Sequence, residues 1–317
     1  MTSLYLRRHH TKILMGHGAG FGNSKQNENI EDYYIKIALA DGTHVNFINS
    51  VAKCKNAFNK APWLEERKNK AFFVTGFPKV DTYFTSIKSG RVNFLQTLGL
   101  SPEKKTIVIF SHWTENSLFR NKGFELVKKL ISSDKNYNII INGHEKLWFD
   151  PGSVNGPTAS SNLYDSLAVM EKEHSNLCFL PVVKDLKPLL ESGDLFIADY
   201  SSVFIECCIM DKPILFFHHP DFIFMNEQVG KLYMGAAFNF NQPEGICDLC
   251  TKALEYKNLH KEQRHMVVDF FFDNKGTSAQ YIADLLVDMG RVYGPKSFGW
   301  KRVKQLSRQN LTNFKIS

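Results

Sequence analysis

The most chemically suggestive part of the chain is a polar turn, Asp199-Tyr200-Ser201-Ser202, which lies between a predicted strand and a predicted helix. A helix that begins there offers free backbone N–H groups to an anion, and the two serine hydroxyls add further donors. The turn therefore predicts a phosphate or diphosphate site. Because Asp and Ser are also common at helix starts, capping of the helix is the alternative explanation.

A carboxylate, Glu206, follows one turn later on the same predicted helix. In nucleotide sites an acidic side chain accepts hydrogen bonds from the ribose diol while a helix start holds the phosphates. Glu206 therefore favours a nucleotide as the ligand. The alternative is a solvated or salt-bridged helix residue.

Two histidines also follow predicted strands. His17 begins a loop that contains Gly18 and two further glycines, and His144 follows the predicted strand Tyr137–Ile141. An imidazole titrates near neutral pH, so His17 is a candidate general base for a substrate hydroxyl. His144 is a candidate donor or cation that stabilises charge on a transferred phosphoryl group. For His17 the alternative is a loop histidine whose neighbouring glycines only serve a tight turn.

Neither a metal nor a cofactor is predicted. His112, His218 and His219 also follow apolar segments, but adjacent histidines in a strand point to opposite faces and are poorly placed to share one ion. Cys247 and Cys250 form a C-x-x-C pair within an amphipathic helical pattern, where this spacing arises by chance.

The composition is that of an ordinary globular protein, since 43% of the 317 residues are hydrophobic and 22% are charged. No apolar run reaches the roughly 18 residues of a membrane span, and the N-terminal residues lack the pattern of a signal peptide. Cys207 and Cys208 lie in an apolar helix and are predicted to be core residues. The sequence therefore predicts a cytoplasmic protein.

The net charge of +7 is concentrated in the C-terminal tail, residues 291–317, which has basic residues and no acidic ones. The tail also carries apolar residues, among them Val303, Leu306 and Leu311. Such a segment can lie on an anionic membrane surface, here the inner face of the cell membrane. A terminal helix that packs against a domain is the equal alternative. Nucleic acid is not predicted as a partner, because the rest of the chain has no basic stripe.

Strands and helices alternate through most of the chain, which predicts a doubly wound α/β fold. The short apolar, β-branched segments are typical of buried strands. The predicted strands are residues 12–16, 45–49, 72–75, 106–110, 137–141, 177–180, 194–198 and 213–217.

The polar turn and its surroundings, ADYSSVFIECCIMDKPILFF from residue 198 to residue 217, resemble the most recognisable stretch of the CDP-glycerol glycerophosphotransferase family. The segments Thr75–Asp81 (TGFPKVD) and Asp273–Ser278 (DNKGTS) are similar to two further family motifs, as is the His-Gly pair His17-Gly18. The resemblance covers roughly residues 12 to 288.

Members of this family act in the synthesis of teichoic acids and capsules and have the GT-B fold. The resemblance implies two Rossmann-like domains: an abbreviated acceptor-side domain at 1–100 and a nucleotide-donor domain at 101–290, followed by the basic tail. It implies transfer of glycerol phosphate from CDP-glycerol, or a related nucleotide-diphosphate donor, to a hydroxyl of a polyol-phosphate or glycan acceptor. A lipid-linked acceptor is consistent with the tail.

The resemblance also implies roles for individual residues. His17 and His144 are expected to be catalytic, and Gly18, Asp199, Ser201, Ser202 and Glu206 are expected to bind the donor. The chain departs from the family at the end of the first strand of the second domain, where Phe110-Ser111-His112-Trp113-Thr114 replaces the usual APTWR.

Two other functions are compatible with the same fold. A sugar-nucleotide glycosyltransferase or UDP-sugar 2-epimerase uses a similar nucleotide site, and fold alone does not separate these activities. A catalytically inactive nucleotide-binding or scaffold protein is the second alternative, suggested by the short segment that precedes His17.

Overall fold

The structure, a computed structural model, describes residues 12–15, 43–60, 71–85, 90–149, 159–224, 226–292 and 300–314. The chain forms two compact units. The first unit comprises residues 1–85 together with 268–317, and the second unit comprises residues 86–267.

Both units are built from parallel strands and helices. The strands are β1 (Lys12–Met15), β2 (Thr43–Ile48), β3 (Ala71–Val74), β4 (Thr106–Ser111), β5 (Asn138–Gly143), β6 (Leu177–Phe179), β7 (Leu195–Ala198), β8 (Ile214–Phe217) and β9 (Phe238–Phe240). The helices are α1 (Val51–Lys60), α2 (Asp81–Phe84), α3 (Arg91–Thr97), α4 (Leu118–Asn121), α5 (Gly123–Ile131), α6 (Glu145–Phe149), α7 (Ala159–Glu173), α8 (Lys187–Ser192), α9 (Val203–Ile209), α10 (Glu227–Gly235), α11 (Ile246–Glu255), α12 (Lys261–Phe271), α13 (Ser278–Val292) and α14 (Trp300–Asn313).

The first unit contains a parallel sheet of strand order β1-β2-β3. Successive strand residues point to opposite faces, so alternate residues of β2 and β3 share one face. That face packs against the C-terminal helices. The cluster consists of Val45, Phe47, Ala71, Phe73, Ile282, Leu285, Met289 and Val303. The C-terminal helices therefore complete the core of the first unit.

Helix α14 also pairs with the backbone of strand β3. The Ser307 hydroxyl donates to the Phe72 carbonyl at 2.7 Å and accepts from the Phe72 N–H at 3.1 Å. The Asn310 amide repeats this pattern on Val74, accepting from its N–H at 2.8 Å and donating to its carbonyl at 3.2 Å. Two side chains spaced one helical turn apart thus take the place of a neighbouring strand, and they satisfy backbone groups that an open edge would expose.

The second unit contains a parallel sheet of strand order β6-β5-β4-β7-β8-β9. Every residue of β4, β7 and β8 is buried. Continuous burial of this kind is expected where helices cover both faces of a parallel sheet. The predicted doubly wound arrangement is therefore present in this unit.

The borders of the two units differ from the domain borders expected from sequence. Helix α3 lies before residue 101 but belongs to the second unit, because Arg91 bonds to the Asp194 carboxylate at 2.9 Å and to the Pro102 carbonyl at 2.8 Å. Residues 268–290 belong to the first unit, where α13 and α14 pack on its sheet. Strand β9 was not predicted, since its three residues are too few to show a pattern.

The described part of the C-terminal tail forms helix α14, which packs within the first unit. Val303 and Leu311 are buried in its core clusters, and Leu306 and Phe314 pack against them. These apolar side chains are occupied by protein contacts, as the packed-helix alternative predicts. Among the described residues, no helix has the length and hydropathy that crossing a membrane requires.

Candidate functional site

The second unit has a topological switch point between β4 and β7. From β4 the chain builds β5 and β6 on one side of the sheet, and it then crosses to build β7, β8 and β9 on the other side. In sheets of this order, ligands bind in the crevice outside the carboxyl ends of the strands at the switch point. The loop after β4 begins at His112, and the loop after β7 begins at Asp199. Both loops contain residues singled out from sequence.

The Asp199 carboxylate joins these two loops. It is completely buried, and it accepts hydrogen bonds from the Ser111 hydroxyl at 2.7 Å, the His112 N–H at 2.9 Å and the Leu118 N–H at 2.9 Å. A further bond comes from the Ser201 N–H at 3.1 Å. Burial raises the pKa of Asp199 above its ordinary value, although the hydrogen bonds from Leu118, Ser111, His112 and Ser201 oppose this effect.

Contact between Asp199 and a nucleotide donor stays a prediction. Both oxygens of the carboxylate already accept from protein groups, so the task that the structure shows for Asp199 is to hold the two loops together. The adjacent Tyr200 has a similar task, because its buried hydroxyl donates to the His219 carbonyl at 3.1 Å and accepts from the His219 N–H. Tyr200 thereby ties the loop after β7 to the loop after β8.

The two serines of the turn differ in their surroundings. Ser201 is buried, and its hydroxyl accepts from the Val203 N–H at 3.3 Å at the start of α9. Ser202 is half-buried, and within the part of the chain that the structure describes its hydroxyl has no protein partner. Ser202 is the N-cap residue of α9 but makes no side-chain cap bond. Binding of a ligand by its hydroxyl stays a prediction.

Glu206 lies inside the second unit. Its side chain is 1% exposed on α9, between the buried residues Ile205 and Cys207. This burial excludes the solvated alternative. Contact between Glu206 and a ribose stays a prediction.

His144 belongs to a group of aromatic and basic side chains at the carboxyl ends of β4 and β5. Its ring centroid is 5.8 Å from that of His112 and 6.2 Å from that of Trp113. The Lys146 ammonium lies 4.9 Å from the Trp113 ring centroid, a cation–π distance. The backbone holds these loops together, because the His144 N–H donates to the Ser111 carbonyl at 2.9 Å.

The orientation of the His144 imidazole is also set by the backbone. The Lys146 N–H donates to His144 Nδ1 at 3.1 Å. An N–H group only donates, so Nδ1 is an acceptor and the proton of the neutral ring is on Nε2. His144 is exposed, and it can therefore offer an Nε2–H to an oxygen that gains negative charge.

His17 and Gly18 lie outside the described residues, but the strand that precedes them is described. A cavity of about 230 Å³ opens at the carboxyl ends of β1, β2 and β3 within the first unit. Its lining consists of Met15, Phe47, Asn49, Thr75, Gly76, Phe77, Pro78, Lys79 and Ile282. Met15, the last residue of β1 and part of this lining, is two residues before His17 in the sequence.

Two weak sequence motifs, TGFPKVD and DNKGTS, meet beside this cavity. The Asp81 carboxylate accepts from the N–H groups of Ser278 at 3.1 Å and Ala279 at 2.7 Å, which caps α13. The Asp273 carboxylate caps α1 by accepting from the Val51 N–H at 2.7 Å. The pairing was not predicted, because the two segments are far apart in the sequence and capping is a tertiary contact.

The cysteines match their sequence interpretation. Cys207, Cys208 and Cys250 are buried, and Cys247 is partly buried with its thiol 3.4 Å from the Lys129 carbonyl. Burial raises the pKa of the Cys250 thiol, which disfavours the thiolate that a metal or redox role needs. In the described parts of the chain, no group of three or more His, Cys, Asp or Glu residues is arranged to hold a metal ion.

Comparison with known proteins adds a family match. Residues 17–287 match the family model described as CDP-Glycerol:Poly(glycerophosphate) glycerophosphotransferase. A teichoic acid poly(glycerol phosphate) polymerase of Bacillus spizizenii is 24% identical over 233 residues, which are 69% of this chain and 54% of the relative. Its counterpart in Staphylococcus epidermidis is 24% identical over 243 residues, 72% of this chain and 31% of the relative. The chain thus spans about half the length of the first relative and about a third of the second.

Solved structures show the same fold. A structure of the wall teichoic acid polymerase TagF matches with a TM-score of 0.62 at 18% identity, over 90% of this chain and 70% of that chain. HepE of Anabaena in complex with UDP and glucose matches with a TM-score of 0.51 at 15% identity, over 87% of this chain and 71% of that chain. The predicted GT-B-like α/β fold is confirmed.

Proposed function

Because the chain belongs to the CDP-glycerol:poly(glycerophosphate) glycerophosphotransferase family, we propose that it transfers glycerol phosphate from CDP-glycerol to an acceptor hydroxyl. The observation that carries the proposal is the set of hydrogen-bond donors at the switch point of the second unit. An exposed imidazole, His144, and a serine hydroxyl without a protein partner, Ser202, lie on loops that the Asp199 and Ser111 contacts hold together. Such a crevice suits the diphosphate of a nucleotide donor.

The proposed donor site uses residues from the loop after β7 and from α9. Backbone N–H groups at the start of α9 and the hydroxyl of Ser202 bind the diphosphate. Ser201 shapes the turn by accepting from the Val203 N–H. Glu206 accepts hydrogen bonds from the ribose hydroxyls. Because the Glu206 carboxylate is buried, this contact requires that the ribose enter beside the start of α9. Asp199 holds the turn in place.

In the proposed reaction, an acceptor hydroxyl attacks the β-phosphorus of CDP-glycerol. A new oxygen–phosphorus bond forms, the bond from the β-phosphorus to the bridging oxygen breaks, and CMP leaves with that oxygen. His17 takes the proton of the attacking hydroxyl. His144 donates its Nε2–H to an oxygen that gains negative charge.

The cavity of the first unit is the proposed acceptor subsite. Its volume of about 230 Å³ is small compared with sites for drug-sized ligands, and a polyol phosphate is a correspondingly small group. Asn49 and Thr75 supply polar groups for hydroxyls, and Lys79 brings a positive charge for a phosphate. A polyol-phosphate acceptor, lipid-linked or free, fits this lining.

A membrane contact is also part of the proposal, in a restricted form. Val303 and Leu311 are buried within the first unit, so these two apolar side chains of helix α14 are not available to insert into lipid. Basic side chains on the outer face, such as the exposed Arg308, are the groups left for an anionic surface. Each such cation contributes about 1 kcal/mol near anionic headgroups. Attachment at the inner face of the membrane would therefore be electrostatic and sensitive to salt.

The test is release of CMP by the purified full-length protein from CDP-glycerol in the presence of a glycerol phosphate primer. We expect CMP and an extended primer to appear together. UDP-N-acetylglucosamine in parallel reactions distinguishes the sugar-nucleotide alternatives, because UDP or an epimer would form instead. Binding of CDP-glycerol without any turnover would favour an inactive nucleotide-binding protein and contradict the proposed transfer.

A further inference from the structure

We propose that His112 is an additional donor-binding residue, whose uncharged imidazole donates its Nε2–H to the diphosphate oxygens of the nucleotide. This proposal deepens the function above and rests on it for the identity of the ligand. His112 lies in the segment Ser111–Thr114, where the chain departs from the family motif. Its role therefore follows from the structure of this chain and not from the family match.

The proton position on His112 is set by its own loop. The Thr114 N–H donates to His112 Nδ1 at 3.2 Å, and the Thr114 hydroxyl lies 2.9 Å from the same nitrogen. Because the N–H group only donates, Nδ1 must be the acceptor nitrogen, and the neutral ring carries its proton on Nε2. Among the described residues, Nε2 has no protein partner.

The same local geometry recurs at the carboxyl ends of neighbouring strands. The N–H group two residues further along donates to Nδ1 of His144 at 3.1 Å after β5, and to Nδ1 of His219 at 3.2 Å after β8. The strands of these histidines flank the switch point, with β5 beside β4 and β8 beside β7. The second unit thus holds several strand-end imidazoles as Nε2–H donors.

His112 lies next to the proposed diphosphate turn. Its N–H donates to the Asp199 carboxylate at 2.9 Å, and this same carboxylate accepts from the Ser201 N–H. Its ring centroid is 5.8 Å from the ring of His144. His112 is therefore close to the predicted catalytic imidazole, and its backbone is linked to the serine turn through Asp199.

The His112 ring is uncharged at neutral pH. Burial lowers its pKa from 6.5 to about 4. The titratable and charged groups around it are His144, Lys146 over Trp113, Arg120 near the Trp113 carbonyl, and the Asp199 carboxylate at its N–H. A neutral imidazole therefore donates the same hydrogen bond to the diphosphate at every pH at which the ring is uncharged.

The tautomer also bears on metal binding. A metal ion binds the lone pair of an imidazole nitrogen. In the neutral His112 and His144 rings, Nε2 carries a hydrogen atom, and Nδ1 accepts a hydrogen bond from a backbone N–H group. These two imidazoles therefore suit anionic oxygen atoms better than a metal ion.

The test compares variants of His112 for binding of CDP-glycerol and of inorganic pyrophosphate by calorimetry. His112→Ala and His112→Asn should bind roughly 10- to 100-fold more weakly, as expected for loss of a hydrogen bond to a charged group. His112→Gln should recover part of the affinity, because its amide reaches the position of Nε2 while that of Asn reaches Nδ1. The ratio between wild type and His112→Ala should be the same at about pH 6 and about pH 8.

Thr114→Val is the matched control for a structural effect. It removes the hydroxyl beside Nδ1 but keeps the backbone N–H that sets the tautomer, so binding should stay within about twofold of wild type. A loss as large as that of His112→Ala would assign the effect to the shape of the loop and overturn the proposal. Circular dichroism and thermal melting verify that each variant is folded.

The outcomes separate this proposal from the proposed function. CDP-glycerol binding that is unaffected by His112→Ala would overturn the role of His112 and leave the function intact. Binding of pyrophosphate, but not of CDP-glycerol, with a loss in His112→Ala would support His112 and overturn the donor assignment. If the wild type binds neither ligand, both proposals fail. Nitrogen NMR that finds His112 protonated on Nδ1 would overturn the His112 proposal in every case.

Discussion

The Asp199 carboxylate accepts a 2.7 Å hydrogen bond from the Ser111 hydroxyl, which joins the loops after the two strands that border the switch point. Asp199 also accepts from the N–H groups of His112 and Leu118. A single buried acid therefore joins residues that are far apart in the sequence. Its partners Ser111 and His112 at the end of β4 and Ser201 after β7 are held close together by these bonds.

Replacing Asp199 should damage both stability and donor binding. Both oxygens of Asp199 accept hydrogen bonds from backbone N–H groups in the wild type. In Asp199→Asn an NH₂ group replaces one of these oxygens, and it faces N–H donors although it is itself a donor. We expect the free energy of unfolding to fall by about 1 to 3 kcal/mol and CDP-glycerol to bind more weakly. Urea denaturation and calorimetry measure the two effects. The exposed Asp165 provides the control variant Asp165→Asn, which should change neither.

If His17 is the general base, its replacement should slow turnover without weakening the binding of CDP-glycerol. In His17→Ala, turnover should fall about 10²- to 10⁴-fold while the affinity for CDP-glycerol is retained. CMP release and calorimetry distinguish the two quantities. His174→Ala is the control, because the structure uses the carbonyl of His174 but shows no bond to its ring in the described residues. Unchanged turnover in His17→Ala would remove His17 from the mechanism.

The half-buried imidazole of His112 predicts a dependence of stability on pH. Burial lowers its pKa from 6.5 to about 4, so between these values the unfolded chain binds a proton that the folded chain excludes. Stability from this group is therefore complete above about pH 6.5 and declines as the pH falls toward 4, by up to about 3 kcal/mol. Urea denaturation across this range should show the decline in wild type and a smaller decline in His112→Gln. Parallel curves for the two proteins would contradict the shift.

The contacts of Asn310 with strand β3 predict a stability effect at a site remote from the chemistry. Asn310→Leu leaves the N–H and carbonyl of Val74 without their side-chain partners, and the free energy of unfolding should fall by about 1 to 3 kcal/mol. Gln309→Leu, on the exposed side of the same helix, is the control and should have little effect. Thermal or urea denaturation of the two variants is the measurement. Equal losses in both would mean that helix propensity, not the edge contact, is responsible.

Gly76 is predicted to tolerate no side chain. Its φ of +81° is in the left-handed region, and an added Cβ would lie 2.2 Å from the Ser278 hydroxyl oxygen and 2.3 Å from the Asp273 carbonyl oxygen. Gly76→Ala should therefore lower the melting temperature and alter the cavity beside it. Gly90→Ala is the control, because its Cβ would meet nothing within 4 Å and its φ is −70°. A Gly76→Ala protein as stable as wild type would contradict the close packing of the two motifs.

The elements of the fold were largely readable from the chain, because buried parallel strands are short apolar runs. The predicted strand at 106–110 corresponds to β4, and the strand predicted at 213–217 corresponds to β8 with one residue fewer. The apolar helix that contains Cys207 and Cys208 is also present. Local composition is sufficient to predict such elements, because the hydrophobicity of each residue indicates whether that residue is buried.

The borders of the units were not readable, because they depend on contacts between distant segments. Arg91 belongs to the second unit through its bonds to Asp194, and the C-terminal helices belong to the first unit through Ser307 and Asn310. No local signal distinguishes a helix that packs on its neighbour in sequence from one that returns to an earlier sheet.

The sequence by itself determined that a polar turn with two serines follows a buried strand, and that histidines stand at the ends of other strands, because strand and turn residues are chosen by local geometry. Only the tertiary structure decided which contacts each of these residues makes. Strand order brought His112 and His144 within 5.8 Å of each other, and the Asp199 carboxylate is completely buried. The proton positions on the imidazoles also follow from the fold, since they depend on which backbone N–H group faces each Nδ1.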